Sequence, residues 1–147
     1  MGQSAAAPRG ERECQGREPD RVLVLEDETL LAEMLVGLLE DDGLATAGPA
    51  RTVAGAMDIL RSEPVDVALL DIRLIQEDCY AVAYALRDRG IPFIFVSACR
   101  PLDVPRDFRS RPFIEKPFPP RALTQTVQSV LRADESQQFR HVGDRLG

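Results

Sequence analysis

The feature that most constrains this chain is a series of short, wholly apolar runs that alternate with segments of helical spacing. Three of these runs extend from Val22 to Leu25, from Val67 to Leu70 and from Phe93 to Val96. A strand without polar residues at alternate positions has both faces buried, which is typical of a parallel sheet covered by helices. The runs therefore predict an α/β fold with a doubly wound parallel sheet and helices on both faces.

Segments with helical spacing separate these runs and end at residues that stop helices. In the first segment, apolar residues recur every three or four positions until Gly43 ends the pattern. Two weaker strand candidates, LATAG and PFIEK, bring the predicted sheet to five strands. The four predicted helices are TLLAEMLVGLLEDDG, TVAGAMDILRSE, YAVAYALRDRG and PPRALTQTVQSVLRA.

The termini differ from this pattern. Residues 1–19 are small and polar without apolar periodicity, which predicts a disordered leader. Residues 20–133 hold all the predicted strands and helices and form one domain. Residues 134–147 are polar again and predict a flexible tail that is too short for a DNA-binding domain.

The composition excludes several classes of function. The net charge of -6 argues against direct binding to nucleic acid, which depends on neutralising phosphates with basic residues. His141 is the only histidine, which excludes most histidine-based catalysis, and the three cysteines lack the spacing of a zinc site. No run is long enough for membrane insertion and the start lacks a signal peptide, so we expect a cytoplasmic protein.

Polar residues of three chemical kinds follow the predicted strands. Glu26 and Asp27 come after the first strand, Asp71 after the third, Ser97 after the fourth and Lys116 after the fifth. In a doubly wound sheet these ends meet at one edge, where ligands bind. Converging carboxylates repel one another unless a hard cation such as Mg²⁺ shares the site. With a hydroxyl and an ammonium opposite, they predict a phosphoryl-transfer site in which Asp71 is the nucleophile.

Each of these residues also has an ordinary structural explanation. A lone carboxylate such as Asp71 often caps the turn after a strand, and Glu26 with Asp27 could form a solvated turn. Ser97 could bond its own backbone, and Lys116, the only lysine, could be a surface charge. The joint occurrence of all four features at strand ends favours the site.

Four motifs resemble the receiver domain of two-component response regulators over about residues 20–133. They are VLVLEDE, VDVALLDIRL, PFIFVSA and FIEKPF, in that order and with suitable separations. The resemblance implies a flavodoxin-like sheet of strand order 2-1-3-4-5 and a stand-alone, single-domain receiver without an output domain. It implies that Asp71 accepts a phosphoryl group from a sensor histidine kinase or a histidine phosphotransfer protein and signals to a downstream partner that the sequence does not identify.

The resemblance also implies a role for each site residue. Glu26, Asp27, Asp71 and the backbone carbonyl of Arg73 would bind Mg²⁺. Ser97 and Lys116 would contact the phosphoryl group. Phe113 would be the switch aromatic that moves with Ser97, and the Lys116–Pro117 peptide bond would be cis.

The sequence departs from the family pattern in two places. The loop after Asp71 reads IQEDCY, without the proline and glycines that are usual there, and Arg73 and Cys99 flank the mouth of the predicted site. Residues 98–112 contain three prolines where the family has its fourth helix, so we expect a loop or short turns. Such a segment would order on phosphorylation, and its loss as a helix makes the usual symmetric dimer less favourable.

Two other functions remain open from the sequence. A phosphatase with an Asp nucleophile has a similar topology, but it usually needs a second Asp two residues later, where Arg73 stands. A receiver-like interaction module that is never phosphorylated is the other alternative.

Overall fold

The computed structural model describes the backbone of residues 18–146 and the side chains of residues 18–136. The leader predicted over residues 1–19 therefore lies almost wholly outside the described residues. Among the described helices, none combines the length and the apolar character that crossing a bilayer requires.

Five parallel strands form the central sheet, and two short strands form a separate hairpin. The strands are β1 Arg21–Leu25, β2 Ala45–Ala50, β3 Val67–Leu70, β4 Arg73–Leu74, β5 Glu77–Asp78, β6 Phe93–Ser97 and β7 Phe113–Glu115. The order in the sheet is β2-β1-β3-β6-β7. Without the small hairpin β4–β5, this is the predicted order 2-1-3-4-5, and the α/β doubly wound prediction is confirmed. The helices are α1 Thr29–Asp41, α2 Val53–Ser62, α3 Tyr80–Asp88 and α4 Pro120–Leu146.

Each face of the sheet supports its own apolar core. On one face Leu23, Leu70 and Phe95 pack with residues of α2 and α3, and on the other Val24 and Leu69 pack with residues of α1 and α4. Neighbouring residues of a strand point to opposite faces, so the positions buried on both sides, 22–25, 67–70 and 93–96, all need apolar side chains. Burial on both sides fixes the register of these strands, and with it the height at which each one ends.

A two-stranded antiparallel hairpin, β4–β5, follows Asp71 directly. At its turn Gln76 has a φ of 68°, a conformation that non-glycine residues rarely adopt. We expected this loop to be restricted because its glycines are missing, but we did not predict strands there. Pairing of Arg73 with Asp78 gives the loop a defined backbone.

The segment between β6 and β7 contains no regular α-helix, as the prolines predict. It contains two 3-10 turns, Pro101–Asp103 and Arg106–Phe108. It is nevertheless anchored more firmly than its sparse apolar residues suggested, because Val104 is 3% exposed and Phe108 is fully buried.

The last helix is longer than the sequence indicated. We expected it to end near residue 133 and assigned residues 134–147 to a flexible tail, whereas α4 continues to Leu146. Residues beyond 133 lack an apolar stripe, and helix length in that part follows from backbone hydrogen bonding without a packing signal in the sequence.

Candidate functional site

Asp71 lies just beyond the end of β3, and its backbone amide donates to the carbonyl of Leu25, 2.9 Å away. The residue is only 6% exposed. The sheet therefore holds this carboxylate beside the end of β1 with little freedom to move. A buried charge of this kind needs a charged partner.

Lys116 supplies that partner. Its Nζ lies 3.0 Å from Glu26 Oε1 and 3.4 Å from Asp71 Oδ2. The lysine thus bridges two carboxylates that follow neighbouring strands, with its own side chain 19% exposed. The only lysine of the chain points into the site.

The carboxyl group of Glu26 is 1% exposed and held at both oxygens. Oε1 faces Lys116, and Oε2 accepts a hydrogen bond of 3.1 Å from the backbone amide of Glu28. Burial raises the pKa of Glu26 to about 7 although the hydrogen bond from Lys116 opposes the shift. Burial also raises the pKa of Asp71, against the opposing charge of Lys116. Burial is thus the largest cause of the upward pKa shift at both carboxyls, and Lys116 only partly offsets it.

A third carboxylate completes an acidic group. Glu26, Asp27 and Asp71 each offer an oxygen within 4.8 Å of the others. Mg²⁺ binds oxygens at about 2.0–2.1 Å, so ligands on opposite sides of the ion are about 4 Å apart. Carboxylate oxygens are the donors that this ion prefers, and a small inward shift would bring the set to octahedral distances. The three residues therefore fit Mg²⁺.

A cavity of about 310 Å³ opens beside the acidic group. Ser97, Lys116 and Asp71 line it, together with Arg73 and Cys99. Ser97 is 1% exposed, and its Oγ accepts a bond of 3.3 Å from the amide of Cys99. This contact agrees with the ordinary structural explanation for Ser97, but the hydroxyl still borders the cavity and has a hydrogen to donate.

Arg73 is placed at the mouth of this cavity. Its Nε lies 2.9 Å from Cys99 Sγ, and the side chain is exposed. The part predicted for its backbone carbonyl in metal binding stays a prediction. Cys79, in contrast, is fully buried, and burial raises the pKa of its thiol far above the ordinary range.

Phe113 is half-buried on β7, with its ring 6.2 Å from that of Phe95. The peptide bond between Lys116 and Pro117 is cis, the isomer that the resemblance implies. All the predicted site residues except Phe113 surround one cavity or the acidic group beside it. Phe113 does not line the cavity, and its role as the switch aromatic stays a prediction.

Two contributions to the site were not predicted from the sequence. The amide of Glu28, which fixes Glu26, belongs to a residue that was not among the predicted site residues. The link between Arg73 and Cys99 was also not predicted, although both residues were placed at the mouth. A backbone contact and a side-chain rotamer leave no periodic signal in a sequence.

A family model, described as response regulator receiver domain, matches residues 22–128. The DNA-binding response regulator MtrA of Mycolicibacterium smegmatis is 33% identical, over 84% of this chain and 57% of the relative. The TorCAD operon transcriptional regulatory protein TorR of Escherichia coli O157:H7 is 28% identical, over 82% and 54%. The chain thus spans about half the length of these curated relatives.

Two solved structures extend the comparison. SdrG from Sphingomonas melonis Fr1 is 35% identical with a TM-score of 0.68, covering 78% of this chain and 98% of that one. The response regulator TrrA from Thermotoga maritima, solved in complex with Mg²⁺ and BeF, has a TM-score of 0.68 and covers 76% and 98%. Its identity of 22% means that this second likeness shows the fold alone.

Proposed function

Because the chain belongs to the response regulator receiver domain family, we propose that it accepts a phosphoryl group on Asp71 and signals by a change of conformation. Receiver domains take this group from histidine kinases, so the proposed donor is the phosphohistidine of a sensor kinase or of a histidine phosphotransfer protein. The observation that supports the proposal best is the contact of Lys116 with both Glu26 and Asp71, beside a cavity that Lys116 and Asp71 line.

In the proposed step, a carboxylate oxygen of Asp71 supplies the electron pair for a new O–P bond. The N–P bond to the donor imidazole breaks at the same time, and its electron pair remains on the nitrogen. Lys116 offsets the negative charge of the transferring oxygens, and the Ser97 hydroxyl donates a hydrogen bond to one of them. Burial keeps Asp71 in position, which removes the entropy cost of orienting the nucleophile.

Glu26, Asp27 and Asp71, with the carbonyl of Arg73 as a further ligand, would hold Mg²⁺. When bound, this ion neutralises phosphoryl oxygens and brings the acceptor and the incoming group together. Lys116 would then be freed from Glu26 and could face the phosphoryl group, because the metal takes over the charge of that carboxylate.

A phosphoryl group on Asp71 would draw Ser97 toward it and shift Phe113 further inward, which changes the surface that a downstream protein contacts. Such a population shift needs contacts that differ between the two states, and the bond from Ser97 to the phosphoryl oxygens supplies them. Phosphorylation, the switch and a cytoplasmic location are proposals for this chain.

The test is labelling with acetyl phosphate and Mg²⁺, read by intact mass. We expect one phosphoryl group on the wild-type protein, none on Asp71→Asn, and none when the metal is chelated. Lys116→Ala should lose labelling while keeping most of its Mg²⁺ affinity. Asp58→Asn, which changes an exposed carboxylate on α2, is the matched control and should label normally.

Undiminished labelling of Asp71→Asn would refute the assignment. Turnover of acetyl phosphate far beyond one equivalent, without accumulation of the labelled protein, would instead favour the phosphatase. No labelling at all would favour the unphosphorylated interaction module.

A further inference from the structure

Arg73 is unusual among the arginines that the structure describes because its guanidinium contacts sulfur. Its Nε donates to Cys99 Sγ at 2.9 Å. Within the described side chains it forms no ion pair, whereas other arginines do: Arg21, Arg61, Arg87 and Arg100 each lie within 4 Å of a carboxylate. A permanent cation at the site therefore rests on a weak acceptor.

The position of this side chain is equally specific. Arg73 and Cys99 border the cavity of about 310 Å³ that exposes Asp71. Both also border a neighbouring cavity of about 450 Å³ between the β4–β5 hairpin and the turn at residues 101–103. The Arg73–Cys99 contact thus forms part of the wall between the two cavities.

A phosphoryl group on Asp71 would change the balance of acceptors. Its oxygens carry up to two negative charges and accept paired hydrogen bonds from one guanidinium, a strong charge-assisted geometry. A neutral thiol offers one weak, uncharged contact. Since Arg73 is exposed and its backbone is fixed by pairing with Asp78, the side chain can turn at small cost without moving the hairpin.

We propose that Arg73 is a phosphoryl-binding residue, and that Cys99 holds its side chain at the edge of the cavity until Asp71 is modified. This inference rests on the proposed function. Paired hydrogen bonds to the phosphoryl oxygens through the guanidinium edge that carries Nε require the contact with Cys99 to break, because the single Nε hydrogen cannot serve both acceptors. Arg73 and Lys116 then bind the group from two sides, and Arg73 does so only in the modified state.

The experiment measures equilibrium binding of beryllofluoride, a stand-in for the phosphoryl group, in saturating Mg²⁺, followed by the rise in melting temperature. Arg73→Gln should weaken binding by about threefold to tenfold, the range of an exposed charge-assisted contact. Arg73→Lys should fall in between, because an ammonium keeps the charge and loses the paired geometry. Cys99→Ala should bind at least as tightly as wild type, because Arg73 no longer has to leave a partner.

Affinity for Mg²⁺ alone should not fall in any of these proteins, because Arg73→Gln and Arg73→Lys keep the backbone carbonyl, and a parallel fall would indicate general damage to the site. Arg61→Gln, at an exposed arginine on α2, is the matched control and should bind like wild type. Equal binding by wild type and Arg73→Gln would overturn the inference, and weaker binding by Cys99→Ala would overturn the holding role. If wild type fails to bind beryllofluoride, the proposed function itself fails and this inference falls with it.

Discussion

Two regions at the same edge of the sheet are built in opposite ways. The acidic site is held by strand ends, so its position is set by backbone pairing and by cores on both faces of the sheet. Residues 98–112 follow β6 at that edge but have only two short turns and depend on side chains for their position. The residues that need fixed distances thus lie on the rigid strand ends. Residues 98–112, which can adapt their conformation, lie beside them.

The side chains that hold residues 98–112 converge on Phe108. Its ring lies 4.7 Å from that of Tyr84 and 5.5 Å from that of Phe93. The rings of Tyr80 and Phe95 also face it, at slightly larger spacings. One buried aromatic residue replaces the apolar stripe of a helix.

The largest effect on stability is expected at Phe108, which anchors residues 98–112. Phe108→Ala should lower the free energy of unfolding by about 3–5 kcal/mol, because it leaves a cavity among four rings. Urea denaturation measures the change. Leu102→Ala, at a residue 75% exposed in the same segment, is the control and should have little effect. A loss below about 1 kcal/mol for Phe108→Ala would show that the segment is not anchored there.

The next largest effect on stability is expected at the strand ends that hold the acidic site. Lys116→Ala should destabilise the metal-free protein by about 1–3 kcal/mol at pH 8, because it leaves Glu26 and Asp71 buried without a cation. The loss should be smaller at pH 6, below the raised pKa of Glu26, where that carboxyl can take up a proton in place of the lysine. Urea denaturation at both pH values checks this. An equal loss at both would contradict the charge-based explanation.

Magnesium should stabilise the rigid region by about 1.4 kcal/mol at a concentration ten times its Kd. The folded pKa of Glu26, about 7, exceeds its ordinary value of 4.5. Its contribution to stability in the metal-free protein is therefore complete below pH 4.5 and lost as the pH rises through 7. Stabilisation by Mg²⁺ should grow over the same interval, since the ion binds the ionised carboxylates. Melting curves at pH 6 and pH 8 test this, and Asp27→Asn should reduce the effect.

The smallest expected effect concerns the local opening of residues 98–112. The hydroxyl of Tyr84 donates to Asp107 Oδ2 at 3.2 Å on an exposed surface. Tyr84→Phe should speed hydrogen exchange of residues 104–111 while leaving the denaturation midpoint unchanged, because it frees the segment without opening the core. Tyr80→Phe is the matched control. Protection of residues 100–111 equal to that of a regular helix would contradict the predicted mobility.

The fold and the acidic site could be predicted from the sequence for one reason. Parallel strands buried on both sides must be continuous apolar runs, and their carboxyl ends must meet at one edge. The strand pattern alone therefore predicts that Asp71, Ser97 and Lys116 lie together. The carboxylate, hydroxyl and ammonium groups of these residues then indicate a site that binds a metal ion and a phosphoryl group.

The remaining features depend on contacts that leave no periodic pattern in the sequence. The β4–β5 hairpin has strands of two residues, and the burial of Phe108 follows from the space left where a helix is missing. The extension of α4 to Leu146 passes through polar residues without an apolar stripe. The burial of Phe108 is decided by neighbours that are distant along the chain, and the hairpin and the helix extension rest on backbone hydrogen bonds that leave no apolar pattern.

The hydrogen bond between adjacent strands at the site has a mechanical consequence. The amide of Lys116 donates to the carbonyl of Ser97 at 2.9 Å, and Ser97 is paired with Glu115. If a phosphoryl group displaces Ser97, this pairing would carry the displacement to β7. Because β7 is the outermost strand of the described sheet, a movement at Ser97 would reach the edge of the sheet within one strand spacing, about 4.8 Å.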